Sequence, residues 1–342
     1  MKKVLIIQNK ILHYRKALYN KLSDHYHLTV LHSGNPSISQ EDKYLEIIKP
    51  KIKIGAFYFQ KGIRNEIKKN KYDVVIAMFD LRWINNIVLN LTGCGPRFIY
   101  WGHRYSKRKF INSVRNYLIK KTDAVILYND SEVSKIKKAG INKSKIFIAE
   151  NTIYVSNSED LSTKEKNMFL FVGRAQKRKR VDLLLKSFVN IKDEIPENVN
   201  IGIVGEGEEN LNLKKLALDI GIADRVIFYG RITDDECLKK LFSKSYAYVS
   251  PDAIGLGAQH SFAYGVPVVT ASNGYKGAEF DNLENNVNSK LFQNQNELEN
   301  ILIQFIKEPT LTQRLGTNAF KLYSKKLTIN NMAQGFVKAI ES

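Results

Sequence analysis

Five cations crowd one short segment, FVGRAQKRKRVDLLL (residues 171–185): Arg174, Lys177, Arg178, Lys179 and Arg180. An apolar run ends at Val172, Gly173 permits a tight turn, and an amphipathic run starts at Val181, so the cations fall on a loop after a strand. Guanidinium forks and ammonium point charges both suit phosphate oxygens; a plain solvated loop has the same composition. A second segment, SPDAIGLGAQHSFAYGVPVV (250–269), complements the first. Gly255 and Gly257, flanking Leu256, let backbone N–H groups approach a ligand closely, and a helix predicted to start near Ala258 adds its positive dipole end. Together these make an anion site of the kind a diphosphate fills. His260 falls in the first turn of that helix, as a ligand contact, a capping partner or an ordinary core histidine. Asp252 is either a turn cap or a carboxylate of the site.

Other segments speak less clearly. IVGEGEEN (203–210) has two glycines of a dinucleotide fingerprint but Asn210 in place of the third, and it lies in mid-domain, which argues against an NAD site. VIFYGRI (226–232) ends a strand with Arg231 and Ile232 just outside it, a shelf for a base. FIYWGHRYSKRKF (98–110) sets Trp101, Gly102 and His103 at another strand's carboxyl end, where a histidine can donate to a substrate or simply pack. Residues 106–121 read as a basic amphipathic helix with Phe110, Ile111, Val114 and Leu118 on one face. That face either packs on a sheet or lies on an anionic bilayer. Walker A, HExxH, GxSxG and DxD patterns are absent.

Loops of this kind need strands to carry them. The runs KVLIIQ, LTVLH, YDVVIAM, RFIYW, DAVILY and KIFIA alternate with amphipathic segments, which predicts a parallel sheet covered on both faces. Residues 155–167, VSNSEDLSTKEKN, are polar and aperiodic and read as an interdomain linker. The strand–helix alternation then restarts with MFLFV, VNIGIVG, RVIFYG, AYVS and VPVVT, and three helical segments close the chain. The expected fold is α/β: two Rossmann-like, doubly wound parallel-sheet domains over residues 1–155 and 165–328, facing across a cleft, with the final helix at about 330–342 free to pack back on the first.

A length of 342 residues with 44% hydrophobic and 25% charged residues suits two packed domains and excludes wholesale disorder. Two cysteines, Cys94 and Cys237, make neither a disulfide framework nor a metal motif, which points to a reducing compartment. The apolar run at Val4–Ile7 is too short for a signal-peptide core, and no stretch reaches the roughly 20 residues of a spanning helix. The expectation is a cytoplasmic protein, soluble or peripheral. The net charge of +19 is lopsided: residues 1–155 hold 29 Lys and Arg against 11 Asp and Glu, and the remainder is nearly balanced. A basic half suits a polyanion, either nucleic acid or an anionic membrane surface, though surface lysines also serve solubility.

Taken in order, FVGRAQKRKRVDLLL, VNIGIVGEGEE, DRVIFYGRI, SPDAIGLGAQHSFAYGVPVV and NSKLF resemble the nucleotide-sugar domain of GT-B fold glycosyltransferases of the large retaining family 4. The likeness covers about 130 residues; YWGH, IAENTI and HYRKALYNKL are similar to the first domains of a bacterial surface-polysaccharide branch. The resemblance implies a UDP- or GDP-sugar donor, with Arg174 and Lys179 on its diphosphate and Gly173, Gly255, Leu256 and Gly257 lining it. It implies Arg231 and Ile232 at the base and His103 at the donor sugar. The family's two glutamates, separated by seven residues, are replaced by Asp252 and His260, which would stand near the sugar and at the ribose. Arg180 replaces the glycine expected after Lys179. No metal or other cofactor is implied, and no protein base. The acceptor implied is a lipid-diphosphate-linked glycan held by the first domain at the inner face of the plasma membrane. Two other readings fit parts of the chain: a catalytically silent nucleotide-sugar-binding subunit, which accounts for the missing glutamates, and a nucleic-acid binder, which accounts for the charge but not for the ordered motifs and is not expected.

Overall fold

The computed structural model describes every residue except Arg104 and Lys107, and of His103 the backbone alone. The chain divides into two units, residues 1–154 with 328–342, and residues 155–327. In the first, among the described residues, seven strands form a parallel sheet. They are β1 (Lys3–Ile7), β2 (His27–His32), β3 (Leu45–Ile48), β6 (Val74–Met78), β7 (Arg97–His103), β8 (Ala124–Leu127) and β9 (Ile146–Ile148), ordered β3-β2-β1-β6-β7-β8-β9. The central strands β1, β6 and β8 are almost wholly apolar because both their faces are covered, whereas the edge strand β3 exposes Leu45 and Ile48. Successive side chains point to opposite faces, so Val4 and Ile6 join one core with Leu18, Leu22, Met332 and Phe336. Leu5 and Ile7 join the other, with Ile63, Ile67, Leu118 and Ile119.

The helix Ile329–Glu341 belongs to this unit although it ends the chain. Thr328 caps it, its hydroxyl accepting from the Asn331 N–H at 3.2 Å. Phe336 meets the Trp101 ring edge-on at 4.8 Å. Gly335 is the closest approach: a Cβ there would collide with the Ile148 carbonyl and stand 2.8 Å from Ala149.

The segment from 45 to 70 was not read from the sequence. It holds β3, the antiparallel ribbon β4 (Lys51–Ile54) and β5 (Phe57–Gln60), and the helix Ile63–Asn70. Every residue of β4 is exposed. The ribbon is covered on one strand only: β5 stacks Tyr58 on the buried Trp83 at 5.0 Å and buries Gln60, so it offers no continuous apolar run like those of the sheet strands.

In the second unit, β10 (Met168–Val172), β11 (Asn200–Val204), β12 (Val226–Gly230), β13 (Ser245–Val249), β14 (Val268–Ala271) and β15 (Ser289–Phe292) form a parallel sheet ordered β12-β11-β10-β13-β14-β15. The helix Val181–Ile191 buries Val181, Leu184, Leu185, Phe188 and Ile191 against Phe169 and Phe171 of β10. Residues 155–167 are not a free linker. The Glu159 and Leu161 N–H groups donate to the carbonyls of Ala263 and Tyr264 at 3.0 and 3.2 Å, Asp160 accepts from Thr317 at 3.0 Å, and Leu161 is buried. Polar composition concealed a strap whose affinity is for backbone groups rather than for a core.

The Gly335 contact gives a direct test of how the last helix is seated. Gly335→Ala should lower stability by about 1–3 kcal/mol through overpacking, read as a lower urea midpoint. An unchanged midpoint would mean that the helix does not lie on β9 as described.

Candidate functional site

The order of the second sheet reverses direction at β10: β11 and β12 lie on one side, β13 to β15 on the other. Open α/β sheets bind ligands at such a reversal, outside the carboxyl ends of the strands. Between β10 and β13 the two flanking loops are 173–180 and 250–257, the cation loop and the glycine loop.

Glycines set how tightly these loops nest. Gly173 has φ +154°, and its N–H donates to the Val204 carbonyl at 2.9 Å. A Cβ on Gly205 would strike the Gly173 carbonyl, and one on Gly207 would strike that of Ala175. The glycines of GEGE therefore let one loop lie against another, a role distinct from the nucleotide fingerprint they resemble. A Cβ on Gly257 would stand 2.5 Å from the Tyr248 hydroxyl and 2.8 Å from the Val172 carbonyl, which fixes the start of the helix Gly257–Ala263 against β10.

Lys179 crosses between the two loops. Its side chain is buried, and its Nζ donates to the Ala253 carbonyl and lies 3.4 Å from where a Gly255 Cβ would be. No carboxylate among the described residues makes an ion pair with it. Burial pushes the ammonium down to about 8 and Arg178 pushes the same way, while Glu279 and Asp252 pull it back. The N–H groups of Gly255 and Leu256 donate to no group among the described residues. A buried cation beside unclaimed N–H donors is a site prepared for an anion. Arg174 stands exposed on the same loop, its guanidinium in no hydrogen bond or ion pair among the described residues. Glu279, buried and acting on Lys179, had no sequence signal: it shares the turn Ala278–Asn282 with Asp281, and no motif marks either acid.

The remaining residues are more dispersed. Asp252 accepts from the Tyr275 N–H at 2.6 Å and so ties down the loop after β14. His260 is buried, with ring centroids 5.4 Å from Phe242 and 5.7 Å from Tyr264. Its Nε2 has no hydrogen-bond partner and stands 3.7 Å from Asp235 Oδ1. Burial pushes the imidazole down to about 4 against the pull of Asp235. Arg231 and Ile232 follow β12, two strands from β10, which is about 10 Å across the sheet; Arg231 is exposed and Ile232 half-buried.

In the first unit, His103 ends β7, and its side chain lies outside the described residues. The helix Lys109–Lys121 packs through Val114, Leu118 and Ile119, whereas Phe110, expected on that face, is 80% exposed. Phe110 is the second residue of the helix and joins neither apolar cluster of this unit. Arg115, expected on the wet face, is half-buried with Asp80 and Glu132 acting on it.

The His260 geometry predicts an acid-sensitive fold. The unfolded imidazole titrates near 6.5 and the folded one near 4, so the unfolded state binds more protons in that window. Stability is fully present above about 6.5 and falls as pH drops toward 4, by on the order of 2–3 kcal/mol. A series of urea melts on His260→Gln should show a shallower slope than the native chain there; equal slopes would reject the assignment.

Comparison with known proteins adds the family. Residues 156–322 match the profile of glycosyl transferases group 1. An uncharacterized glycosyltransferase of Haemophilus influenzae is 26% identical over 249 residues, 69% of each chain. A Campylobacter jejuni protein, named GalNAc-alpha-(1->4)-GalNAc-alpha-(1->3)-diNAcBac-PP-undecaprenol alpha-1,4-N-acetyl-D-galactosaminyltransferase, is 26% identical over 188 residues, 54% of this chain and 50% of its own length. Among solved structures, Anabaena Alr3699/HepE in complex with UDP superposes with a TM-score of 0.75 at 16% identity, covering 99% of both chains. Nearly the whole second unit thus matches the group 1 glycosyl transferases, and the chain is a glycosyltransferase built on two Rossmann-like parallel-sheet units, consistent with the GT-B fold.

Proposed function

We propose that the second unit holds a UDP- or GDP-sugar and that the chain transfers its sugar, with retention and without a metal, to a lipid-diphosphate-linked glycan in bacterial capsule, O-antigen or exopolysaccharide synthesis. One observation carries the donor assignment: the buried Lys179 ammonium lacks a carboxylate and stands beside the N–H groups at 255–256. In this reading Lys179, Arg174 and those N–H groups take the diphosphate along Gly173, Gly255, Leu256 and Gly257. Arg231 and Ile232 meet the base. As the bond from anomeric carbon to phosphate oxygen breaks, negative charge grows on the departing diphosphate, and preorganised cations and N–H groups stabilise it at little reorganisation cost. The leaving phosphate accepts the acceptor hydroxyl's proton. The UDP in the Anabaena structure makes UDP the first nucleotide to try.

The first unit takes the acceptor and a membrane surface in this proposal. Its charge of +18 supports an anionic leaflet. So do Phe110 and Tyr117, exposed on a helix with Lys109, Lys120 and Lys121, and Ile54 and Phe57, exposed on a ribbon with Lys51 and Lys53. Among the described residues no helix is long and apolar enough to cross a membrane. The PP-undecaprenol in the Campylobacter relative's name supports the acceptor class. The second reading is a silent nucleotide-sugar-binding subunit. It is favoured by Asp252 and His260, whose side chains are engaged by Tyr275 and packed on Phe242.

Lys179 makes the proposal testable. A bound diphosphate raises the pKa of the ammonium, so at pH 8 binding should take up about half a proton, and affinity should fall as pH rises through 8. Calorimetry with UDP and GDP in buffers of different ionisation enthalpy reads the uptake. Lys179→Met and Arg174→Ala should each lower transfer by about 10²–10³, with nucleoside diphosphate release surviving EDTA in the native chain. Binding without proton uptake, or full transfer by Lys179→Met, would defeat the assignment; binding without any turnover would select the silent subunit.

A further inference from the structure

The first sheet reverses direction between β1 and β6, and the loops after these strands enclose a cavity of about 220 Å³ lined by Gln8, Asn9, Arg15, Asp80, Trp101 and Tyr128 among others. Arg15 is 7% exposed. Its Nη2 donates to Asn151 Oδ1 at 2.5 Å, and its Nη1 approaches the Met332 sulfur, a weak acceptor, at 3.5 Å. The guanidinium lies 5.0 Å from the Trp101 ring centroid and 5.7 Å from that of Tyr128. No carboxylate among the described residues pairs with it. Asp80, the acid of the same cavity, is already held by Arg82, through Nε at 3.0 and 3.1 Å and Nη2 at 2.6 Å. Trp101 adds a second unmet demand: its indole N–H is buried and has no acceptor.

Charges withdrawn from water are normally paired, and buried donors are normally satisfied. Aromatic faces meet only part of the first cost. An oxyanion in the cavity would answer both groups at once.

We propose that this cavity is an anion subsite of the acceptor, in which Arg15 and the Trp101 N–H take oxygens of a phosphate or carboxylate group; this rests on the glycosyltransferase reading above. The volume lies below the roughly 300–1,000 Å³ of sites for drug-sized ligands, so it suits one charged group or a single sugar end rather than a long glycan. Phosphate would come from the carrier diphosphate, carboxylate from an acidic sugar. Arg15 and Trp101 are then specificity-determining residues for the acceptor, remote in sequence from the residues assigned to the donor.

The chain has two tryptophans, Trp83 and Trp101, so Trp83→Phe leaves Trp101 as the single indole reporter. With UDP and GDP in excess to fill the second unit, inorganic pyrophosphate and methyl glucuronide are titrated separately against Trp101 emission. A saturable response to either supports the subsite, and which anion responds distinguishes carrier from sugar. Arg15→Met, which keeps a long apolar stem against the rings, should weaken that response by about tenfold or more, as for a lost charge-assisted contact. Arg15→Lys should restore part of it. A circular-dichroism melt and nucleotide binding check that both variants are folded. No saturable response to either anion, or a response unchanged in Arg15→Met, would overturn the proposal. Loss of nucleotide binding in the native chain would instead defeat the transferase reading, while the Trp101 titration still decides whether the cavity takes an anion.

Discussion

The carboxyl edge of the second sheet is organised around the cost of keeping one ammonium dry. Lys179 reaches from the loop after β10 to the Ala253 carbonyl on the loop after β13, and the same reach sets its Nζ beside Gly255. A side chain at 255 would crowd the ammonium, and a salt bridge there would neutralise it. The structure provides a single carbonyl and the pull of two acids, Glu279 and Asp252, neither of them in an ion pair with Lys179, enough to hold the charge but not to cancel it. Desolvation is left partly unpaid in the free protein. That residue of unfavourable energy is what an incoming anion can recover, which ties the fold of the loop to its chemistry.

The backbone around Lys179 bears a strain of its own. Arg180 has φ +52°, a left-handed conformation at the entrance to the helix Val181–Ile191. The resembling family has glycine there. A non-glycine residue pays about 1–2 kcal/mol for the conformation. Arg180 offsets a little of this through Asp182, at 3.2 Å on an exposed surface. The turn is therefore imposed by where Lys179 must go and not by the preference of the residue that makes it.

How much of this was legible in the sequence depends on the kind of information. Two-sided apolar runs such as VLII and FLFV identify buried parallel strands because no exposed face interrupts them, and their alternation with helices gave the two Rossmann-like sheets. The ribbon at 51–60 was missed because β4 is wholly exposed and β5 buries fully only Gln60, which leaves no continuous apolar run. At the candidate site, residue types were readable and directions were not. His260 reads the same whether it faces a ligand or the core; only the packing of Phe242 from another element, with Tyr264 at the cap of its own helix, places its ring. Glu279 and Asp235 act on Lys179 and His260 from segments distant in sequence, and nothing local to them announces it.

The two units repeat one arrangement with different chemistry. In each, the first strand of the sheet marks the reversal of strand order, and the connection from that strand into its helix carries a buried cation without a carboxylate partner: Arg15 after β1, Lys179 after β10. The cations are not interchangeable. Arg15 is flanked by ring faces and an amide oxygen, surroundings that suit a delocalised, weakly hydrated guanidinium. Lys179 meets a carbonyl and backbone donors, and its compact ammonium titrates within reach of ordinary pH. Lys179 can therefore couple anion binding to proton uptake near neutrality. An anion at Arg15 would meet a planar fork of donors, and one at Lys179 a compact point charge.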